Sequence, residues 1–292
     1  MTRNRIAIGT VQFGIPYGIN NKNKKKVRSS EISKILTLAK SAGIDTIDTA
    51  MSYGNSENEL GYYGVSELKI ITKLPAIPKD CPDLAKWVEE QLMNSLLRLK
   101  LSKVHGLIIH NPEDLLGSLG SELWDILNNF KEKKLINKIG YSIYSPNELD
   151  IIFDLFSPDI VQAPYNIFDR RLDKSGWMNR LFNAKIEIHV RSVFLQGLLL
   201  IKKNDRPKKF DKWSNIFEKF DQWLLANNLN AAQAAISFVT NDPRISKIIL
   251  GIDNSNQLEE ALKNLDIKIN NFPDELHVQD VDLINPSRWN LL

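Results

Sequence analysis

The chain has 292 residues, of which 43% are hydrophobic and 25% are charged, which is the composition of an ordinary globular protein. Its 38 lysines and arginines nearly balance its 35 acidic residues, so charge gives no argument for a nucleic-acid or membrane partner. Cys81 is the only cysteine, which excludes a disulfide within the chain, and no apolar run approaches the roughly 18 residues of a membrane span.

Short segments rich in apolar and β-branched residues recur along the chain and are predicted to be buried parallel strands. In chain order they are IAIG (6–9), DTID (45–48), LKIIT (68–72), VHGLII (104–109), KIGYS (138–142), DIVQAP (159–164), IEIHVRS (186–192) and SKIILG (246–251). Stretches with helical periodicity separate them. In residues 29–43, for example, Ile32, Ile35 and Ala39 fall on one face of the predicted helix.

Eight strands that alternate with helices predict a (β/α)₈ barrel of the TIM type. The alternative is an open, doubly wound sheet, but that fold usually has a glycine-rich turn after its first strand, and GTVQFG contains only Gly9 and Gly14. Residues 1–292 are therefore expected to form one barrel domain. Residues 198–212 are predicted to be a loop, and the chain from about residue 266 is predicted to be a C-terminal extension.

The N-terminal sequence lacks the apolar stretch and small-residue cleavage site of a signal peptide, so a cytoplasmic protein is expected. The basic run Lys22, Lys24, Lys25 and Lys26 is interpreted as a solvated loop, with a phosphate or partner patch as the alternative.

Polar side chains lie where the predicted strands end, and this is the end of a barrel that carries chemistry. Asp48 ends the second strand, and Tyr53 lies on the loop after it. Lys73 ends the third strand and His110 the fourth. Each residue alone could be a turn or surface residue, but together they predict a common cavity. The polar residues near the ends of the next three strands are Ser142, Gln162, Arg191 and Ser192.

An acid, a phenol, an amine and an imidazole in one cavity suit the reduction of a carbonyl group. The ammonium of Lys73 should lower the pKa of Tyr53, which could then donate a proton near neutral pH. Asp48 can supply the counter-charge of Lys73. His110 can donate a hydrogen bond to a carbonyl oxygen. None of these groups supplies a hydride, so a cofactor has to supply it.

At these residues the chain resembles the aldo/keto reductase family. The most specific stretch is residues 43–61, and similar segments follow one another along nearly the whole chain: GTVQFG, GIDTIDTAMSYGNSENELG, ITKL, IIHNPED, KIGYSIYS, VQAPYNIFDRR, SVFLQGLL and IILGIDNSNQLEEAL. The resemblance implies a (β/α)₈ barrel that binds a nicotinamide cofactor without a Rossmann fold. It also implies that Asp48, Tyr53, Lys73 and His110 are the family's catalytic tetrad, with Tyr53 as the general acid.

The same resemblance implies a cofactor site. Ser142 and Gln162 would bind the carboxamide. The segment from Gly251 to Glu260, which includes Asn254 and Gln257, would lie at the adenosine phosphate. Because this segment lacks the lysines and arginines of strongly NADPH-specific members, NADP(H) is favoured only by family frequency and NAD(H) remains possible. No metal is expected.

Two further positions depart from the family pattern. Ile143 follows Ser142 where many members have an asparagine, which removes one contact to the carboxamide. Arg191 stands where many members have an aromatic residue that stacks on the nicotinamide, although a guanidinium plane can also stack.

The expected partner is a small carbonyl substrate, such as an aldehyde, a ketone or a sugar-derived compound, and the protein is expected to be a monomer or weak oligomer. The candidate substrate contacts are Phe13, Tyr17, Trp177, Phe194 and Trp289. The alternative function is a nucleotide-binding regulatory or scaffold subunit with little turnover. A Schiff-base aldolase that uses Lys73 is a third hypothesis, but Asp48 should raise the pKa of this lysine and so disfavour it.

Overall fold

Eight parallel strands close into a barrel in their order along the chain, in a computed structural model that describes residues 3–21 and 25–291. Each strand pairs with the next, and the last pairs with the first. The strands are β1 (Ile6–Gly9), β2 (Thr46–Asp48), β3 (Lys69–Leu74), β4 (Val104–Ile109), β5 (Ile136–Ser142), β6 (Ile160–Pro164), β7 (Glu187–Arg191) and β8 (Lys247–Gly251). The predicted (β/α)₈ barrel is confirmed, and every predicted strand overlaps an observed one.

Helices follow the strands and cover the outside of the barrel. Their apolar faces are buried as the periodicity predicts; in the helix over residues 29–41, Ile32, Ile35, Leu36 and Ala39 are all buried. The α-helices of the described residues are α1 (Val11–Gly14), α2 (Ser29–Ser41), α3 (Ser56–Tyr63), α4 (Leu84–Leu99), α5 (Gly120–Glu132), α6 (Pro146–Ile152), α7 (Arg171–Lys174), α8 (Trp177–Asn183), α9 (Ser214–Ala226), α10 (Ala231–Thr240), α11 (Ser255–Asn264) and α12 (Val281–Ile284).

Short helical turns occur in the predicted loop (residues 198–212) and in the predicted C-terminal extension (from about residue 266). The segment after β7 forms the 3₁₀ helices Leu195–Leu200, Lys203–Asp205 and Lys208–Trp213, and the C-terminal extension contains α12 and the 3₁₀ helix Pro286–Leu291. The two segments are joined by aromatic packing, because the rings of Phe210 and Trp289 have centroids 5.0 Å apart. Turns this short carry no helical periodicity for a sequence pattern to detect.

The basic run lies partly outside the described residues, since Lys22 and Lys24 are not among them. Lys25 and Lys26 are exposed, as expected of a solvated loop. Among the helices of the described chain, none combines the length and the apolar character that crossing a membrane requires.

The barrel interior sets the direction in which the site residues point. Ile71, Ile108 and Ile160 form a separate, fully buried apolar cluster from β3, β4 and β6. Two residues further along each of these segments come Lys73, His110 and Gln162. Because side chains two residues apart on a strand lie on the same face, the apolar layer directs these three polar groups towards the C-terminal mouth.

Charged pairs lie at the opposite, N-terminal end of the strands. Asp45 accepts hydrogen bonds from Lys69 (2.8 Å) and Lys247 (2.7 Å). Glu187 pairs with Lys138 and lies 3.2 Å from the ring nitrogen Nε2 of His189. Paired charges therefore lie at this end of the barrel.

Candidate active site

A cavity of about 780 Å³ opens at the C-terminal ends of the strands, which is the size of a small-molecule site. Eight of the eleven predicted site residues line it, namely Asp48, Tyr53, His110, Gln162, Arg191, Gly251, Gln257 and Glu260. Lys73, Ser142 and Asn254 do not line it, but each is hydrogen-bonded to a residue that does. The predicted residues therefore either line one cavity or are hydrogen-bonded to residues that line it.

Asp48 is the centre of a buried hydrogen-bond network. The Lys73 ammonium donates to Asp48 Oδ2 at 2.6 Å and to the carbonyl oxygen of Thr49 at 2.8 Å. Gln162 Nε2 donates to the other carboxylate oxygen of Asp48 at 2.7 Å. This last bond was not predicted: it shows that Gln162 also supports the ion pair.

Burial lowers the pKa of Lys73, and the Asp48 carboxylate opposes this shift. Asp48 does act to raise the pKa of Lys73, as expected, but desolvation of the buried ammonium is the larger effect and lowers it. Since Lys73 is only 1% exposed, its ammonium depends on Asp48 for compensation.

The ring of Tyr53 contacts both Lys73 and His110. Lys73 Nζ lies 5.1 Å from the ring centroid, and the His110 ring meets the Tyr53 ring edge to face, with centroids 5.9 Å apart. Burial raises the pKa of the Tyr53 hydroxyl, and the nearby Asp48 carboxylate adds to the shift. The expectation of a lowered tyrosine pKa is therefore wrong for the free protein, in which Asp48 compensates the lysine charge. The hydroxyl keeps its proton at neutral pH.

His110 is a neutral imidazole at neutral pH. Burial lowers its pKa to about 3, and the positive charges of Lys73 and Arg191 act in the same direction. The Ser52 hydroxyl lies 3.4 Å from Nδ1. If this hydroxyl donates to Nδ1, the ring hydrogen is on Nε2, which can then donate a hydrogen bond into the cavity.

Gly14 fixes the position of the loop that carries Tyr53. A Cβ atom on Gly14 would lie 1.7 Å from the carbonyl oxygen of Tyr53, so any other residue would displace the loop. The Ser56 hydroxyl holds the end of the same loop by donating to the carbonyl oxygen of Thr10 at 3.0 Å. Gly14 therefore allows the close packing of α1 against the Tyr53 loop. The sequence analysis did not predict this role.

Glu57 anchors α3 from behind. Glu57 is 1% exposed. Its carboxylate accepts hydrogen bonds from Thr72 (2.7 Å) and Ser95 (2.6 Å) and forms an ion pair with Arg98 (2.7 Å). Because these partners lie on β3 and α4, the helix that follows Tyr53 is tied to the strand that carries Lys73. Sequence reasoning missed this acid, although it lies in the most specific matching stretch.

Arg191 brings a positive charge to the β7 side of the cavity. It donates to the carbonyl oxygen of Ile143 at 2.9 Å, and its guanidinium lies 4.6 Å from the centroid of the Tyr144 ring. Ile143 thus positions Arg191 through its backbone, while its own side chain is buried. Tyr144, which also lines the cavity, was not predicted.

Gln12 and Gly251 lie together on the β8 side of the cavity. Gln12 is 7% exposed, and its Oε1 has no hydrogen-bond partner among the described residues. A Cβ on Gly251 would lie 2.5 Å from Gln12 Nε2, so the glycine gives this amide its place against the cavity wall. Gln12, Gln162 and Gln257 all line the cavity, so amide groups are available to bind the polar parts of a molecule there. The residues present therefore fit a polar cofactor.

The predicted substrate contacts divide into two groups. Tyr17 and Phe194 line the cavity. Phe13, Trp177 and Trp289 are buried away from it, where they serve packing. The C-terminal extension does reach the cavity, but through residues 285–287 rather than through Trp289.

Comparison with known proteins connects this geometry to a family. The sequence profile described as "Aldo/keto reductase family" matches residues 5–275. The chain is 24% identical over 299 residues to a probable voltage-gated potassium channel subunit beta from Arabidopsis thaliana, a match that covers 90% of this chain and 89% of the relative. It is 25% identical over 173 residues to an L-glyceraldehyde 3-phosphate reductase from Escherichia coli (strain K12), covering 50% of each chain.

The fold is also similar to that of a solved structure, the holo form of an aldo-keto reductase from Bacillus halodurans. The TM-score is 0.72, with 16% identity, over 91% of this chain and 88% of the other. At this level of identity the likeness concerns the fold alone.

Proposed function

The chain belongs to the aldo/keto reductase family, a family of oxidoreductases, and we propose that it transfers a hydride between a nicotinamide cofactor and a small carbonyl or alcohol substrate, with Tyr53 as the general acid. The family predicted from the sequence is thereby confirmed. The observation that carries the proposed role is the position of a protonated Tyr53 between buried Lys73 and neutral His110.

In the proposed mechanism Tyr53 gives its hydroxyl proton to the carbonyl oxygen as the carbon is reduced. The cofactor, when bound, supplies the hydride. The phenolate that forms is stabilised by the Lys73 ammonium, whose charge Asp48 maintains. The neutral His110 ring donates a hydrogen bond that orients the carbonyl oxygen. The raised pKa of free Tyr53 ensures that the proton is present when the substrate binds.

Several residues would hold the cofactor. Gln162 would bind its carboxamide, with Ser142 acting through Gln162, and the Arg191 guanidinium would contact the nicotinamide ring. The rest of the dinucleotide would extend along the cavity to Gly251, Gln257 and Glu260. Asn254 would act indirectly, because its side chain caps α11 by accepting the backbone N–H of Gln257 at 3.0 Å. Family frequency favours NADP(H), with NAD(H) as the alternative.

Substitution of Tyr53 by phenylalanine tests the general acid. With a panel of aldehydes, ketones and sugar-derived carbonyls and with NADH and NADPH in turn, Tyr53→Phe should lower kcat by about 10²- to 10⁴-fold. Its dissociation constant for the cofactor should stay close to that of the wild type. Tyr62→Phe is the matched control, because Tyr62 is 71% exposed and should not affect turnover. Full activity of Tyr53→Phe would show that another group is the acid.

A nucleotide-binding regulatory subunit is the second candidate, and the similarity to the Arabidopsis relative supports it. The relation is distant, and all four tetrad positions retain side chains that can do chemistry. Tight cofactor binding without turnover across the whole panel would favour this function.

A Schiff-base mechanism through Lys73 fits the geometry poorly. Its ammonium does not line the cavity, and it is hydrogen-bonded to Asp48 and to the Thr49 carbonyl. Borohydride trapping of a carbonyl compound on Lys73 would be required to revive it.

A further inference from the structure

The loop that carries Tyr53 runs directly into α3, and the first two residues of this helix are buried and polar. Ser56 is fully buried and Glu57 is 1% exposed. The mechanism proposed above uses neither side chain, and the cavity lining includes neither of them. A hydroxyl and a carboxylate side by side in the interior both need partners, and those partners show what the two residues hold in place.

Ser56 joins the Tyr53 loop to the ends of β1 and β2. Its backbone N–H donates to the carbonyl oxygen of Tyr53 at 3.0 Å. Its hydroxyl lies 2.9 Å from the hydroxyl of Thr10, just beyond β1, and 3.1 Å from that of Thr49, just beyond β2. The Thr10 hydroxyl in turn donates to the carbonyl oxygen of Asp48 at 3.0 Å. A chain of buried hydroxyl groups therefore connects the Tyr53 loop to the strand end that carries Asp48.

Glu57 joins the same helix start to β3 and α4. One carboxylate oxygen accepts hydrogen bonds from the hydroxyls of Thr72 (2.7 Å) and Ser95 (2.6 Å). The other accepts from Arg98 Nε at 2.8 Å and lies 2.7 Å from Nη2 of the same side chain. Thr72 directly precedes Lys73, and neighbouring residues on a strand point to opposite faces. Glu57 therefore holds β3 from its outer face, next to the position from which Lys73 points inward.

Stability alone does not account for a charged group at this place. Replacing a buried ion pair by apolar residues of similar volume often leaves a protein as stable or makes it more stable. What the Glu57 carboxylate adds is direction, because its contacts all come from donors and both of its oxygens are used. A neutral amide in its place would turn an NH₂ group towards at least one of these donors.

We infer that Ser56 and Glu57 are positioning residues, which fix the Tyr53 hydroxyl relative to Lys73 and His110. Ser56 holds the loop against the ends of β1 and β2, and Glu57 holds the start of α3 against β3. The phenol is thus tied to three successive strands, and it cannot shift at the barrel mouth without breaking buried hydrogen bonds. The inference rests on the proposed function, because a reaction at Tyr53 is what gives this precision a use.

The kinetic test removes the two contacts separately in the full chain. Glu57→Gln and Ser56→Ala should each lower kcat by about 10- to 100-fold, since a misplacement of the acid by about 1 Å is enough for such a loss. The KM for the carbonyl and the dissociation constant for the cofactor should stay close to the wild-type values, because neither side chain lines the cavity. A wild-type kcat in either variant would overturn the role of that residue.

A second variant covers the case in which Glu57→Gln folds poorly. Thr72→Val keeps the shape of the side chain and removes one donor to Glu57, so it should lower kcat in the same way but by less. Because the two residues act through one contact, the double variant Thr72→Val/Glu57→Gln should lose less than the product of the two single losses. Fully multiplicative losses would mean that Glu57 does not act through β3.

The matched control is Asp242→Asn. Asp242 lies between α10 and β8, where it forms an ion pair with Arg244, and it is not part of the cavity lining. This variant should lower the midpoint of urea denaturation and leave kcat unchanged. A loss of kcat in Asp242→Asn as large as in Glu57→Gln would show that general destabilisation is the cause, which would overturn the inference.

Fluorine NMR reports the position of Tyr53 without any turnover. In protein labelled with 3-fluorotyrosine, the resonance that is missing from Tyr53→Phe belongs to Tyr53. Its chemical shift depends on the edge-to-face contact with the His110 ring, whose centroid is 5.9 Å away. Glu57→Gln and Ser56→Ala should shift or broaden this resonance, whereas Asp242→Asn should leave it in place.

The two measurements together separate this inference from the proposed function. A shifted Tyr53 resonance with a loss of kcat supports both. A shifted resonance in a protein whose wild type reduces no carbonyl would support the positioning of Tyr53 by Ser56 and Glu57 and remove the catalytic function. An unchanged resonance in both variants would overturn the inference, and turnover by the wild type would then leave the reductase function standing.

Discussion

The two ends of the barrel carry similar charged pairs in different surroundings. At the N-terminal end, the side chains of Lys69 and Asp45 are 50% and 37% exposed, whereas at the C-terminal end those of Lys73 and Asp48 are 1% and 6% exposed. The pKa values of Asp45 and Glu187 are lowered, chiefly by lysine and histidine hydrogen bonds that outweigh desolvation, so their charged forms are favoured.

At the C-terminal end the shifts run the other way. Burial lowers the pKa of Lys73 and of His110 and raises that of Tyr53, so burial opposes the charged form of each group. Charge at the N-terminal end therefore stabilises the fold. At the C-terminal end the fold bears the cost of desolvated groups, and this is the usual condition of groups that exchange protons in catalysis.

The largest difference should appear when one lysine is removed from each end. Within the described chain, Lys73→Met leaves the buried Asp48 carboxylate with only the Gln162 hydrogen bond and should lower the free energy of unfolding by about 3 to 5 kcal/mol. Lys69→Met should cost less than about 1 kcal/mol, because the pair is half-exposed and Lys247 still binds Asp45. Urea denaturation followed by circular dichroism measures both.

The double variant Lys73→Met/Asp48→Leu serves as the control for that comparison. Removing both charges should recover part of the lost stability, because no unpaired carboxylate remains buried. Equal costs for Lys73→Met and Lys69→Met would mean that desolvation does not distinguish the two ends.

The next difference concerns pH. His110 has a folded pKa of about 3 against an ordinary value of 6.5, so its contribution to stability is present above about pH 6.5 and is lost as the pH falls towards 3. Glu187 has a folded pKa of about 2 against 4.5, so its contribution is lost only below about pH 4.5. Between about pH 7 and pH 5 the C-terminal end should therefore lose about 1 to 2 kcal/mol through His110, while Glu187 contributes no loss.

Unfolding curves of His110→Gln and Glu187→Gln over this pH range check the assignment. His110→Gln should flatten the dependence between pH 7 and pH 5, whereas Glu187→Gln should alter it only at lower pH. His105→Gln is a necessary control, because burial also lowers the pKa of His105 on β4. If His110→Gln keeps the full wild-type slope, the protonation of His110 does not set it.

The barrel could be predicted from the sequence because its signals are local. Each strand is a short apolar run, and its neighbours are helices with clear periodicity, so eight repeats leave few topologies. That Asp48, Tyr53, Lys73 and His110 lie close together could be predicted, because strand ends in such a fold converge and these residues lie at or just beyond them. Polar residues at the ends of predicted strands can thus be identified as site candidates from the sequence alone.

What could not be predicted depends on contacts between distant segments and on burial. The hydrogen bond from Gln162 to Asp48 spans 114 positions, and the packing of Gly14 against Tyr53 depends on how two loops meet. The direction of the Tyr53 pKa shift was also missed, because a sequence shows which charges are near but not how much water they lose. The unpaired Gln12 oxygen carries no sequence signal at all.

The smallest expected difference between the two ends is their response to salt. Raising the salt concentration from about 0.05 M to about 1 M shortens the screening length to about 3 Å, which weakens exposed pairs and hardly affects buried ones. The cost of Lys69→Met should therefore fall by a few tenths of a kcal/mol, roughly the whole worth of a surface pair. The cost of Lys73→Met should stay nearly constant, because almost no water or ion reaches the pair. Urea is the suitable denaturant because it adds no ions, and the wild type measured at each salt concentration removes general salt effects. A parallel fall in both costs would mean that solvent reaches the Lys73–Asp48 pair. Desolvation could then no longer explain the difference between the two ends.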